Sequence, residues 1–230
     1  MTSSTNHLSA LVIGASGGIG AAVVEALEAD ARYGRVEGLS RRGDGLDLTD
    51  ERRVADAAAA FDDAAFDLIF NATGVLAAAD ETPEKSFAAI DPETMARVFA
   101  VNTIGAALAF KHFAPLLARS ERSAFATLSA RVGSIGDNRH GGWMSYRASK
   151  AALNQLVRCA AVEIGRNRPD AVVVALHPGT IETPLTRRFA RGRYTASADE
   201  AARDLLDVID KLNPDQSGGF FDYAGDEIPW

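Results

Sequence analysis

Two periodicities alternate along the chain. Short apolar runs with β-type composition fall at Ala10–Ile13, Arg35–Leu39, Leu68–Phe70, Ala124–Leu128, Ala171–Leu176 and Gly219–Asp222. Helix-type stretches lie between most of them, at Ala21–Ala31, Glu51–Phe61, Pro92–Leu117, Ser145–Gly165 and Ala198–Leu212. Ser197 ahead of Asp199 and Glu200 reads as a helix start, a hydroxyl cap followed by acids in the first turn. Strand and helix signals in alternation predict βαβ units and a largely parallel sheet. The expected fold is therefore α/β: a doubly wound parallel sheet with helices on both faces. No Pro/Gly/Ser linker and no fixed-period repeat divides the 230 residues, so residues 1–230 are read as one domain with 1–7 as a flexible tail.

Such sheets bind ligands at the carboxyl ends of their strands, so the residues after each strand matter most. The first strand runs into Gly14-Ala-Ser16-Gly-Gly18-Ile19-Gly20, followed at once by a helical pattern. A strand, a glycine turn and a helix N-terminus form a cradle in which backbone N–H groups and the helix dipole meet a pyrophosphate. A tight turn without ligand is the plainer alternative. After the second strand come Ser40, Arg41 and Arg42. An acid there would bond a ribose 2′-hydroxyl and repel a 2′-phosphate, whereas a small hydroxyl beside arginines favours NADP(H) over NAD(H). A solvated arginine pair has the same spelling. Asp47 and Leu48 are placed to border an adenine, although Thr49 or Asp50 equally suits a helix cap. Asn71-Ala72-Thr-Gly74 after the third strand suits close cofactor approach, or a plain turn.

Tyr146 and Lys150 stand four apart at the head of a helical stretch and project from one face. A phenol beside an ammonium works as a general acid, because the positive charge favours phenolate and draws a pKa of ~10 toward neutrality. The same spacing also occurs on solvated helix faces.

Composition narrows the class. A hydrophobic content of 47% with 24% charged residues is that of a globular chain. The net charge of −7 argues against nucleic-acid or anionic-membrane surfaces as partners. A lone Cys159 forms no internal disulfide, no Cys/His set suggests a metal, and His177 reads as a loop residue. Without a leader-like start or an apolar run of ~20 residues, a cytoplasmic location is expected.

The ordered set Gly14-x3-Gly18-x-Gly20, Asn71-x-x-Gly74, Asn102, Tyr146-x3-Lys150 and Pro178-Gly179 resembles the short-chain dehydrogenase/reductase family. The segments Gly133–Asn138 and Gly141–Lys150 are similar to its Sniffer-type carbonyl reductases and C-signal-like proteins. The resemblance implies a Rossmann-type fold and NADP(H)-dependent reduction of a small carbonyl compound, an aldehyde, ketone or quinone, with Tyr146 as proton donor and Lys150 as its activator. It implies that Asn102 holds a water linking Lys150 to solvent, and that Thr183 and the backbone near Ile181 meet the pyrophosphate and carboxamide. It also implies a small carbonyl or alcohol substrate and a homodimer or homotetramer packed through the helices at 92–117 and 145–165. Three positions depart from the family pattern: Ile13, Ala72 and Ala130. The last stands where the family's catalytic serine is expected, leaving Ser129 or Ser134 to supply the hydroxyl, or Tyr146 and Lys150 to act alone. That departure keeps an alternative open, an NADP(H)-binding sensor with little turnover. Substrate is expected to meet Val132–Met144 and the loop Leu185–Thr195, whose Arg187, Arg188, Arg191 and Arg193 suit an anion or a mobile flap.

Overall fold

The computed structural model describes residues 7–61, 64–77, 82–119, 122–183, 186–187, 192 and 194–230. Six parallel strands form one sheet: β1 (Leu8–Ile13), β2 (Tyr33–Leu39), β3 (Leu68–Asn71), β4 (Ala124–Leu128), β5 (Val172–His177) and β6 (Phe220–Asp222). Their order is β2-β1-β3-β4-β5-β6. The chain steps outward from β1 to β2 and then returns across β1 to β3, so the winding reverses between the ends of β1 and β3. A crevice opens at such a reversal.

Strand parity explains the two cores. Leu11 and Ile13 of β1, Ile69, Phe125, Val173 and Phe220 face one layer, where they pack with α2 (Glu51–Ala59), α4 (Ala106–Phe113) and α5 (Met144–Gly165). Ala10 and Val12, Leu68 and Phe70, Ala126, Val174 and Phe221 face the other, against α1 (Gly18–Ala29) and α6 (Ala198–Lys211). Successive side chains of a strand point to opposite faces, so a strand covered on both sides is apolar throughout. β4 and the first five residues of β5 are buried without interruption. β2 is an edge strand and stays polar, with Arg35 paired to Glu37 at 3.0 Å.

Three helices begin as their sequences dictate. Ser197 accepts from Glu200 N–H in a full capping box at α6, Asp50 accepts from the N–H groups of Arg52 and Arg53 at α2, and Asp91 caps α3 (Pro92–Phe99) through Thr94 N–H. The expected continuous helix from Pro92 to Leu117 is interrupted. After α3 the backbone widens into a π-helical segment, Ala100–Gly105, then resumes as α4 and ends in a 3-10 turn, Ala114–Leu116. α5 begins after Trp143, which is held in the left-handed region at φ 54°. In place of a side chain of its own first turn, α5 is capped from a distance: Glu84 accepts from Ser145 N–H (3.4 Å) and its hydroxyl, while Glu84 O accepts from Trp143 N–H at 2.5 Å.

Candidate active site

The C-terminal edge of the sheet gathers the sequence motifs. Gly14 turns the chain at φ +90°, and the N–H groups of Gly14 and Ala15 donate to Leu39 O of β2. A Cβ on Gly20 would stand 2.2 Å from Gly14 O, so the helix can follow the turn this closely only with glycine there. Gly17 caps α1 with no side-chain hydrogen bond, and its first turn carries no acid. A bare helix N-terminus beside a bare turn is a phosphate cradle.

A cleft of about 600 Å³ extends from this turn along the sheet edge. It is lined by Gly14, Ser16, Gly18 and Ile19, by Ser40, Arg41 and Arg42 after β2, by Asp47 and Leu48, and by Ala72 and Gly74 after β3. Tyr146, Lys150, Pro178, Gly179, Ile181 and Thr183 close its far side. Gly20, Asn71 and Asn102 lie behind the lining rather than in it. Asn71 is fully buried and shapes the turn: its Oδ1 accepts from Thr73 N–H (3.1 Å) and the Thr73 hydroxyl (2.6 Å).

The end of β2 adds a contact across a tight turn. Residues 40–46 fold back on Ser40 O, bringing the carboxylate of Asp44 to the Ser40 N–H (2.7 Å) and the Ser40 hydroxyl (3.1 Å). Arg41 and Arg42 stand exposed beside this turn. Asp47 accepts from Thr49 N–H and hydroxyl, which leaves the helix cap to Asp50.

Asn102 sits in the π-helical segment, the kind of bulge that recurs at functional sites. Its Oδ1 accepts from Val75 N–H (2.8 Å), and its Nδ2 donates to Val75 O (2.8 Å) and Ser149 Oγ (3.0 Å). The amide thereby clasps the segment after β3 to α5. Lys150 is 3% exposed and donates to Leu128 O at 2.8 Å. Gly74 lies so close that a Cβ would approach Lys150 Nζ to 3.3 Å and Asn102 Oδ1 to 3.4 Å.

Burial acts on both members of the Tyr146–Lys150 pair. It pulls the Lys150 ammonium down to about 8 and pushes the Tyr146 phenol up to about 12. The expected lowering of the phenol by its neighbour is reversed, because loss of solvent favours the neutral form of each group. A phenol that high stays protonated at working pH, the state a proton donor needs.

The two candidate serines are both engaged by protein partners. Ser129 is buried with its hydroxyl donating to Asn154 Oδ1 at 2.6 Å, and Ser134 donates to Pro229 O while accepting from Asp137 N–H. Ser129 and Ala130 both line the cleft, with the Ser129 hydroxyl engaged by Asn154 of α5.

Ala130 and Tyr146 line both the cleft and a second cavity of about 540 Å³, whose apolar wall is Leu76, Val132 and Trp143. The Trp143 ring meets Tyr146 edge-on, 6.4 Å between centroids. His177 also lines both spaces; burial, then the charge of Arg131, pulls it down to about 4 and keeps it neutral. Its Nδ1 is buried without a hydrogen-bond partner. His177 reads in the sequence only as a loop residue, and Arg147, which lines the second cavity, lies inside Tyr146-x3-Lys150 at a position to which the spacing assigns no role. Of the loop Leu185–Thr195, Leu185, Arg188, Arg191 and Arg193 lie outside the described residues, and Arg187 pairs loosely with Glu182 at 3.8 Å. No group of three or more potential metal ligands occurs among the described residues.

Comparison with known proteins agrees with this arrangement. The family profile described as enoyl-(acyl carrier protein) reductase matches residues 14–207. The C-signal protein of Myxococcus xanthus is 39% identical over 142 residues, covering 61% of this chain and 81% of that one. Among solved structures, the NADPH-bound carbonyl reductase from chicken fatty liver superposes with a TM-score of 0.84 at 26% identity, covering 97% of this chain and 100% of that chain. The carbonyl reductase Sniffer of D. melanogaster shares the fold at a TM-score of 0.81 and 22% identity, with 98% and 100% covered. A parallel sheet wound in this order, a glycine cradle after β1 and a Tyr-x3-Lys pair on α5, together with a profile match over most of its length, make the chain a member of the short-chain dehydrogenase/reductase family of oxidoreductases.

Proposed function

We propose that this protein is an NADP(H)-dependent reductase of small aldehydes, ketones or quinones. The observation that carries the reading is the position of Tyr146, which lines both the cofactor-sized cleft and the adjoining cavity. The cleft fits a dinucleotide, because its glycine turn and uncapped helix start leave backbone N–H groups for a pyrophosphate. The NADPH bound to the chicken reductase, and Arg41 and Arg42 beside Ser40, support the phosphorylated form. When bound, that cofactor supplies the hydride.

The chain's own residues do the rest. Tyr146 gives its phenolic proton to the substrate oxygen and regains one from solvent. Lys150, anchored on Leu128 O, holds positive charge beside the site where phenolate forms. Asn102 ties Val75 to α5 and so fixes the wall opposite Lys150. The same reading places the whole chain in one domain, in the cytoplasm, as a homodimer or homotetramer.

Tyr146→Phe tests the assignment: NADPH oxidation with a panel of small carbonyls should drop by roughly a hundredfold or more while NADPH binding persists. Unchanged turnover would end the proton-donor role. A second reading, NADP(H) binding with little turnover, is favoured by Ala130 and by the engagement of Ser129 with Asn154. It predicts that the wild-type protein binds NADPH but reduces no member of the panel.

A further inference from the structure

The second cavity holds more positive charge than its neighbours neutralise. Arg147 follows Tyr146 on α5 and lines only this cavity, not the cofactor cleft. Its Nε donates to Gly142 O (2.9 Å) and Gly141 O (3.2 Å), and its Nη1 to Val132 O (3.3 Å). These carbonyls aim the guanidinium without cancelling its charge, and among the described residues no carboxylate pairs with it. Burial without a counter-ion holds it below the ordinary arginine range. Partly buried cations are normally paired, so the missing partner is itself informative.

The surroundings point the same way. Arg131 at the rim is already neutralised, by Asp222 at 2.8 Å and Asp137 at 3.2 Å. Arg139, exposed and also lining the cavity, has no carboxylate partner among the described residues. Three arginines against Asp137 and Asp222 leave the cavity net positive in a chain of net charge −7, with neither Arg139 nor Arg147 paired to a carboxylate among the described residues. Cofactor phosphates do not account for them, because neither arginine lines the cleft. Leu76, Val132 and Trp143 form the apolar lining of the cavity that Arg147 and Tyr146 share.

We infer that this cavity is a subsite for carbonyl compounds bearing a carboxylate: the anion meets Arg147, with Arg139 at the mouth, and the apolar body lies along Leu76, Val132 and Trp143. The placement of the carbonyl at Tyr146 rests on the reductase reading; the anion end rests on the arginines alone. Planar guanidinium donors suit a carboxylate, and an unpaired positive cavity in an acidic protein steers anions inward.

The test uses a matched pair, 4-formylbenzoate and its methyl ester, in calorimetric titrations of the full-length protein with and without NADP⁺. The acid should bind about tenfold or more tightly than the ester, the scale of one charge-assisted hydrogen bond. The ratio should shrink as salt rises and collapse in Arg147→Gln. Because Arg147 also ties three backbone carbonyls, Arg139→Gln serves as the second variant and should lower the ratio without touching those ties. Equal binding of acid and ester, or a ratio indifferent to both substitutions, overturns the subsite. NADPH oxidation separates the two claims. Acid that binds preferentially but is never reduced leaves the subsite standing and removes the reductase reading; acid and ester bound and reduced alike do the opposite.

Discussion

Lys150 shows how a single residue sets function against stability. Its ammonium is almost wholly buried with one carbonyl for company, and burial brings it from 10.5 to about 8. Below pH 8 both folded and unfolded chains hold the proton, and the full penalty of burying the charge weighs on the fold. Between pH 8 and 10.5 the folded state releases it first, so stability rises with pH across that window. Lys150→Met should therefore raise stability by about 2–3 kcal/mol at pH 7, less as pH approaches 10, while abolishing turnover. Thermal melts of both proteins across pH, beside NADPH oxidation, check this; a variant less stable at pH 7 refutes the account. Wild-type turnover should fall as pH passes about 8, where the ammonium is lost. The pairing of Tyr146 with Lys150 was legible as a four-residue spacing. The direction of both shifts was not, because burial is a property of the folded neighbourhood.

The elements are held at their ends by different means, and the difference has consequences. α2, α3 and α6 are capped by residues adjacent in sequence, and their starts were predictable. α5 carries Tyr146, Arg147 and Lys150 yet has Trp143 in a left-handed conformation at its N-cap and takes its cap from Glu84. No local pattern announces a cap from 61 residues away. Glu84→Ala should cost about 1–2 kcal/mol and lower the melting temperature by roughly 3–6 °C. It should also weaken turnover more than NADPH binding, since the first turn of α5 positions the phenol. A melt and a binding titration decide it, and an unchanged melting temperature would show the cap to be idle. The π-helical segment escaped prediction for a related reason. The apolar positions of residues 92–117 read as one helix, whereas the clasp of Asn102 on Val75 and Ser149 is tertiary.

At the scale of the molecule, exposed apolar side chains bear on assembly. Ile104 on the π-helical segment and Val162 on α5 are 56% and 52% exposed. These are the helices proposed to pack across a two-fold axis. Light scattering should give a multiple of the 24.3 kDa chain mass, reduced by Val162→Asp. A wild-type mass of one chain would refute the proposed oligomer.

Period-two and period-3.6 patterns sufficed to place six strands and the helices between them, because each pattern reports how one element meets its core. The glycine cradle and the Tyr-x3-Lys pair were equally visible, since their chemistry depends on spacing within a single element. Contacts across the fold decided the remainder. They turned Ser129 toward Asn154, brought Asp44 back to Ser40, isolated the charge of Arg147 and left His177 neutral between two cavities. Side-chain direction, pairing and burial arise only where distant segments meet, and linear spacing carries no record of that meeting.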